Sequence, residues 1–343
     1  MTQNGSKTAL VIGAGGQVGA DLVPALILRG FSVRLFDHLP VEKTSAYPKL
    51  IETFSDEKSL DEVWTIGDAA SDDLIAFLKE NPADQIYHLA AILSANGEKN
   101  PALCWSINMK SLQTILEHLR FCENDKKTTL IWPSSIAAFG QLYDENFSAN
   151  IPTKNEYPLL PKTIYGITKA AGELLGMYYH EKFGVDFRSV RFPGLINSTP
   201  PGGGSTDFAP QMYFDAVAGR KNNCFVRPDT QLPFLYMDDA IKALTEISVA
   251  DSKRLTRRVY NLNGISPTAQ DFEISLKKHF PSFQVKYNPD FRQEIVDSWP
   301  KALDESLAVR DWGWRVDFDL DKITLKMIEN IQSLQNKVLK TSP

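Results

Sequence analysis

The pattern Tyr-x-x-x-Lys occurs twice in the chain, as Tyr165/Lys169 and as Tyr178/Lys182. With 11 tyrosines in 343 residues one chance match is expected, so position has to choose between the two. Tyr165 lies in LLPKTIYGITKAAGE, at the start of a long helical pattern, where i,i+4 spacing puts Tyr165 and Lys169 on one face. Tyr178 falls roughly 220° around and about 20 Å along the same helix, and reads as packing or surface. Ser134 and Ser135 follow the apolar run TLIWP, so a hydroxyl, a phenol and an ammonium can converge at one sheet edge. That set fits proton abstraction from an alcohol. A phenol of pKa about 10 is a poor base, but an ammonium about 4 Å away at an effective dielectric near 20 contributes about 4 kcal/mol, or roughly three pKa units. Tyr165 is then the base, Ser135 hydrogen-bonds the substrate oxygen, and Lys169 supports the phenolate and a nicotinamide ribose.

A second cluster implies the cofactor. Gly13, Gly16 and Gly19, with Gln17 and Val18 between them, form G-x-x-G-x-x-G directly after the run TALVI and before a helical pattern. Such a turn lets a pyrophosphate approach backbone NH groups at a helix start. Asp37 ends the next apolar run, where a carboxylate accepts from both ribose hydroxyls and repels a 2′-phosphate, and 38–40 hold no Arg. NAD is therefore expected over NADP. Asp68 is placed to hold the adenine amino group, and the stretch HLAA, with Leu89, Ala90 and Ala91, lies against the cofactor.

These residues need a scaffold, and the chain supplies one. From residue 7 to about 195, short β-branched or aromatic runs (8–12, 31–36, 62–66, 85–90, 129–133 and 185–191) alternate with helical patterns. This predicts an α/β fold, a doubly wound parallel Rossmann sheet spanning 1–195. Residues 196–343 read as a smaller interleaved α/β cap, with helices near 207–218, 238–249, 267–280 and 319–339. Within SDDLIAFLKE, Ser71 can cap while Asp72 and Asp73 complement the helix dipole. The polar stretch 40–60 reads as a loop-like surface excursion.

Composition excludes several classes. A net charge of -5 with 23% charged residues offers no basic stripe for nucleic acid. Three widely spaced cysteines and five histidines lack ligand spacing, so no metal site is expected. With no apolar run of spanning length, the expectation is a soluble cytoplasmic protein, or one of the mitochondrial matrix if a presequence is removed.

Together, G-x-x-G-x-x-G, SSIAAFG and YGITK resemble the extended short-chain dehydrogenase/reductases, the group that includes nucleotide-sugar epimerases. The stretches AAILSANGEKNPAL, GVDFRSVRFPGLI, PPGGGSTDFA, LPFLYMDDAI and DFRQEIVDSWP further resemble the L-threonine 3-dehydrogenases of that type, over nearly the whole chain. The resemblance implies NAD-dependent oxidation of the β-hydroxyl of L-threonine to 2-amino-3-oxobutyrate, in threonine catabolism. Amino-acid recognition would then fall to Ser94, Ser135, Ser205, Thr206 and Asp207. Asp207 is either the ammonium partner or simply a carboxylate at a helix start. Pro193, Gly194 and Leu195 resemble the nicotinamide-facing segment, and Trp299 resembles a pocket wall or is core packing. Asn108 is counted with the cofactor set. Helices 101–121 and 162–182 resemble those that pair as a four-helix homodimer interface. Two rivals remain, a nucleotide-sugar epimerase using the same Ser, Tyr and Lys, and an NAD-sensing protein without turnover.

Overall fold

A computed structural model describes residues 6–122, 127–140 and 151–341. Its main sheet is wholly parallel. The strands are β1 (Thr8–Ile12), β2 (Ser32–Asp37), β3 (Trp64–Ile66), β4 (Gln85–His88), β5 (Thr129–Ile131), a two-residue β6 (Ser134–Ser135), β7 (Asp186–Phe192), β8 (Gly194–Ile196), β9 (Asn222–Cys224), β10 (Phe234–Tyr236), β11 (Val259–Asn261) and β12 (Val285–Tyr287). The sheet runs β11-β7-β5-β4-β1-β2-β3, with β6 paired to β7, and β8/β10 and β9/β12 form separate parallel pairs. Chain direction reverses its spatial progress between β1 and β4, and in such sheets a ligand crevice opens outside the carboxyl ends at that point.

The central strand β1 reads as a continuous apolar run because both of its faces are covered, whereas the edge strand β3 is largely exposed. Side chains alternate between two layers. Leu10 and Ile12 join Phe77, Leu112 and Phe187 in one, while Ala9 and Val11 join Leu22, Leu26 and Leu244 in the other. The helices Asp72–Glu80, Ser111–Phe121 and Ile164–Phe183 cover the first face, and Gln17–Leu28 with Met237–Val249 covers the second. Met237–Val249 and β11 thus come from the second half of the chain yet complete the first half's sheet. A third apolar cluster, built on Phe208, Tyr213, Phe234, Phe272 and Ile323, lies beside the sheet's carboxyl edge and includes Ile136 and Phe139 from the segment after β5.

The helical and strand patterns appear where expected to within a few residues, including Phe208–Val217, Ala269–Lys277 and Leu320–Thr341. Ser71 accepts from Asp73 N as a cap. One expectation fails. The stretch 40–60 is not a loop, since it forms a short 3-10 turn (Val41–Lys43) and the helices Tyr47–Phe54 and Glu57–Asp61. Val41, Leu50 and Leu60 are buried against the cluster that includes Leu22 and Leu26. Ala46 joins them, and Tyr47 and Phe54 pack against the same cluster, whose surface includes the helix Gln17–Leu28.

Candidate active site

The carboxyl edge of the sheet opens into a cleft of about 390 Å³. Its floor on one side is the turn after β1. Gly13 adopts φ +83°, a left-handed conformation that disfavours any Cβ, and a Cβ there would lie 2.5 Å from the backbone nitrogen of Ala90. That closeness leaves a smooth backbone cradle lined by Gly13, Gly16, Gln17, Val18 and Gly19 at the N-terminus of the helix Gln17–Leu28, which suits a dinucleotide pyrophosphate. Asp37, at the end of β2, is buried and accepts from Gly15 N at 2.8 Å and Leu39 N at 3.2 Å. Its carboxylate therefore braces the turn. Ser45, from the helical excursion, also lines the cleft and donates to the carbonyl of Gly15 at 3.1 Å. Nothing in the sequence signals its reach into the cleft, because the stretch around it reads as a loop.

Leu89 and Ala91 line the cleft, whereas Ala90 backs Gly13. Asp68 is exposed and accepts from Ala70 N at 2.8 Å within its own turn. Asn108 stands behind the cleft in a π-helical turn, Ser106–Lys110, that interrupts the helical stretch 101–121. It accepts from Ile92 N at 2.8 Å and donates to the hydroxyl of Thr168 at 3.1 Å, tying the chain after β4 to the helix that carries Tyr165. It touches that framework, not the cleft.

Ser135, Tyr165 and Lys169 come together on the other side. Thr163 caps the helix Ile164–Phe183 through Gly166 N at 3.0 Å, and Glu98 accepts from Ile164 N at 2.9 Å, so the first turn is held from two directions. Lys169 is buried, its Nζ 2.6 Å from the carbonyl oxygen of Pro133, 4.4 Å from the centre of the Trp132 ring and 5.6 Å from that of Tyr165. Burial pushes the Lys169 ammonium down to about 7, with Glu173 pulling it back up. Burial also pushes the Tyr165 phenol up to about 12, against a lowering by the Ser135 hydroxyl. The expectation of a phenol acidified by lysine is thus reversed in the protein alone. Desolvation acts on both groups, and the ammonium spends itself on a carbonyl and an indole face. Tyr178, by contrast, is about half exposed and packs edge-on against Tyr179 and Phe183.

Across the cleft, Ser94 and Ser205 are buried with their hydroxyl oxygens 3.1 Å apart. Pro193, Gly194, Leu195, Thr206, Asp207 and Trp299 complete the wall. Trp299 is 7% exposed, belongs to the apolar cluster and faces the cleft, so pocket wall and core packing are one role. Asp207 stands at the start of the helix Phe208–Val217 but its side chain does not cap it. Its Oδ2 turns back to accept from Gly203 N and Gly204 N, both at 2.7 Å, because Gly203 takes φ +93° and aims two amides inward. Burial holds its carboxyl above the ordinary range despite those bonds. Gln17 joins the two walls, donating to the carbonyl of Pro200 at 2.8 Å and accepting from Asn197 at 3.3 Å. Among the described residues no group of three or more His, Cys, Asp or Glu gathers as metal ligands would, and no helix is long and apolar enough to cross a membrane.

Residues 9–262 match the model of the NAD dependent epimerase/dehydratase family. An uncharacterised epimerase/dehydratase of Staphylococcus haemolyticus is 42% identical over 268 residues, 77% of this chain and 81% of that protein. The mitochondrial L-threonine 3-dehydrogenase of Sus scrofa is 40% identical over 250 residues, 72% of this chain and 65% of that one. Among solved structures, a monomeric L-threonine 3-dehydrogenase from a metagenome superposes with a TM-score of 0.83 at 37% identity, covering 95% of this chain and 99% of the other.

Proposed function

From the chain's membership of the NAD dependent epimerase/dehydratase family, whose cofactor is NAD, we propose that this enzyme is an L-threonine 3-dehydrogenase. The observation that carries the proposal is the small polar enclosure facing Tyr165. Ser94, Ser205, Thr206 and Asp207 gather where an amino acid's charged end would sit, within a cleft whose remaining length suits the dinucleotide. The relatives named L-threonine 3-dehydrogenase support the same substrate.

NAD, when bound, supplies the acceptor for hydride from the carbinol carbon. The chain's own residues do the rest. Tyr165 takes the hydroxyl proton as the carbonyl forms, and Ser135 donates to the same oxygen. With NAD bound, Lys169 would hold the nicotinamide ribose and, beside the cofactor's positive ring, would favour the Tyr165 phenolate that burial disfavours in the protein alone. The Asp207 carboxylate faces the substrate ammonium, while hydroxyls of Ser94, Ser205 or Thr206 donate to the carboxylate. Product is 2-amino-3-oxobutyrate. Asp37 selects the unphosphorylated adenosine ribose.

We further propose a homodimer through the helical stretch 101–121 and the helix Ile164–Phe183. Ile167, Leu174 and Tyr178 on the latter, and Leu103 and Trp105 on the former, are all exposed by more than two fifths. Exposed apolar side chains on two helices packed against each other support an interface there.

The test is direct. Protein, NAD and L-threonine are mixed and absorbance at the NADH band is followed. Steady NADH formation is expected; silence with L-threonine beside turnover of a nucleotide sugar would establish the epimerase instead, and NAD binding without turnover of either would establish a sensor.

A further inference from the structure

Glu173 stands one turn beyond Lys169 in the helix Ile164–Phe183, with no exposed surface. An unpaired carboxylate there would cost several kcal/mol, so its partners matter. Arg191 of β7 donates to it twice, from Nε at 2.9 Å and from Nη2 at 2.7 Å, and Ser134 donates to it at 2.5 Å. Arg191 is itself 5% exposed and spends its remaining arm on the carbonyl of Asn155 at 2.8 Å and the side-chain oxygen of Asn261 at 3.0 Å. Ser134 lies between Pro133, whose carbonyl accepts from Lys169, and Ser135. Two residues of one helix, four apart, thus grip the same three-residue segment.

We propose that Glu173 is a positioning residue for the reacting groups: its carboxylate locks the segment 133–135 to the helix bearing Tyr165 and Lys169, and its charge favours the ammonium form of Lys169 one turn away. The inference rests on the assignment of Tyr165 and Lys169 to the chemistry. The groups that face Lys169 are Glu173 and Tyr165 on its own helix, Cys104 from the helix Pro101–Trp105, His88 at the end of β4, the Trp132 ring after β5 and, behind Glu173, Arg191. Burial keeps His88 neutral, with its pKa near 3, and raises the Cys104 thiol. Among these groups Glu173 is therefore the only anion at neutral pH. Removing its charge leaves Arg191 and Lys169 as two buried cations. A guanidinium does not release its proton, so Lys169 does. A neutral Lys169 no longer favours the phenolate, and the phenol then needs a higher pH to act as base.

The experiment measures kcat and KM with NAD and L-threonine across pH for the parent, Glu173→Gln and Glu173→Asp, alongside Tyr165→Phe. Gln matches the volume of Glu and keeps an acceptor for Ser134, so a purely structural residue would tolerate Gln better than Asp. We expect the reverse in the pH profile. Gln should move the rising limb of kcat up by about one pH unit and lower kcat at neutral pH about tenfold, with KM for L-threonine within about threefold; the variant should still melt cooperatively, though below the parent because Arg191 loses its charged partner. Asp keeps the charge but retracts it by one methylene, so the limb should stay in place while kcat falls severalfold. A parental limb in a folded Gln variant overturns the proposal. Should the Gln variant not fold, Asp decides, since a parental kcat there refutes the lock. If the parent leaves L-threonine untouched, or Tyr165→Phe retains turnover, the chemistry assigned to Tyr165 falls and this inference with it; an inert Tyr165→Phe beside parental Glu173 variants removes the inference alone.

Discussion

At the scale of single residues the site is a contest between burial and charge. Tyr165 and Lys169 are both driven toward their neutral forms, and in the chain itself Ser135 opposes that drive at Tyr165, while Glu173 and, less strongly, Cys104 oppose it at Lys169. The phenolic oxygen is thus expected to be indispensable. Replacing Tyr165 by Phe removes the proton acceptor and leaves every wall of the NAD cradle in place, so turnover should fall by at least about a thousandfold while NAD affinity changes by no more than a few fold. NADH formation and NAD titration check the two halves, and comparable rates for variant and parent would refute the base assignment. Beside the ribose contact proposed for it, Asp37 has a structural duty that its sequence position did not disclose. Exchange for Ala should relax discrimination against NADP, and because the carboxylate also holds Gly15 N, NAD itself should bind about tenfold more weakly. Titrating both cofactors tests this, and unchanged discrimination would show that Asp37 does not meet the ribose. Tyr165, Lys169, Ser135 and the glycines were legible because their spacing is set by the turn and helix that carry them. Glu173 was not. A glutamate four residues past a lysine ordinarily signals a solvated ion pair, and only the fold reveals that β7 places Arg191 opposite it.

At the scale of elements, the alternation of apolar runs and helical patterns named the sheet, since a strand buried on both faces and a helix buried on one leave different periods. The excursion 40–60 escaped because two short helices carry too few turns for a period to show. Its consequence is local, since Ser45 from that excursion reaches Gly15. The loop 198–207 was recognisable as a glycine-rich turn, but its tether was not, because Gln17 meets Pro200 across 183 residues of sequence. Gln17→Ala should free this loop from the phosphate-binding helix, raising KM for L-threonine severalfold with kcat nearly unchanged; equal KM values would show that the tether is dispensable. On the outer face of the helix Ile164–Phe183, Leu174 is 60% exposed at the centre of the apolar stripe. Leu174→Glu should convert a dimer to a monomer in sedimentation, and identical profiles for variant and parent would place any association elsewhere.

At the scale of the whole molecule, the second half of the chain returns to close the first half's sheet, and one carboxylate fastens that return. Asp311, in the helix Ser306–Trp312, is 3% exposed and accepts from Thr256 N at 2.9 Å, from the Thr256 hydroxyl at 2.5 Å, from the Tyr260 hydroxyl at 2.8 Å and from Arg310 at 2.7 Å. Tyr260 belongs to β11 at the edge of the main sheet. Burial alone would raise the Asp311 carboxyl, but the bonds from Arg310, Thr256 and Tyr260 outweigh it and bring the pKa down to about 2. A carboxyl whose pKa is lower folded than unfolded stabilises the fold fully above the unfolded value near 4, and that contribution drains away as pH falls through about 2. The lowering corresponds to stabilisation on the order of 2 kcal/mol at neutral pH. Asp311→Asn should therefore melt a few degrees below the parent at pH 7, and the gap should narrow as both are carried from about pH 4 toward pH 2. A gap that stays constant over that range would mean that Asp311 holds β11 through shape and hydrogen bonds alone, with its charge contributing nothing to the closure of the sheet.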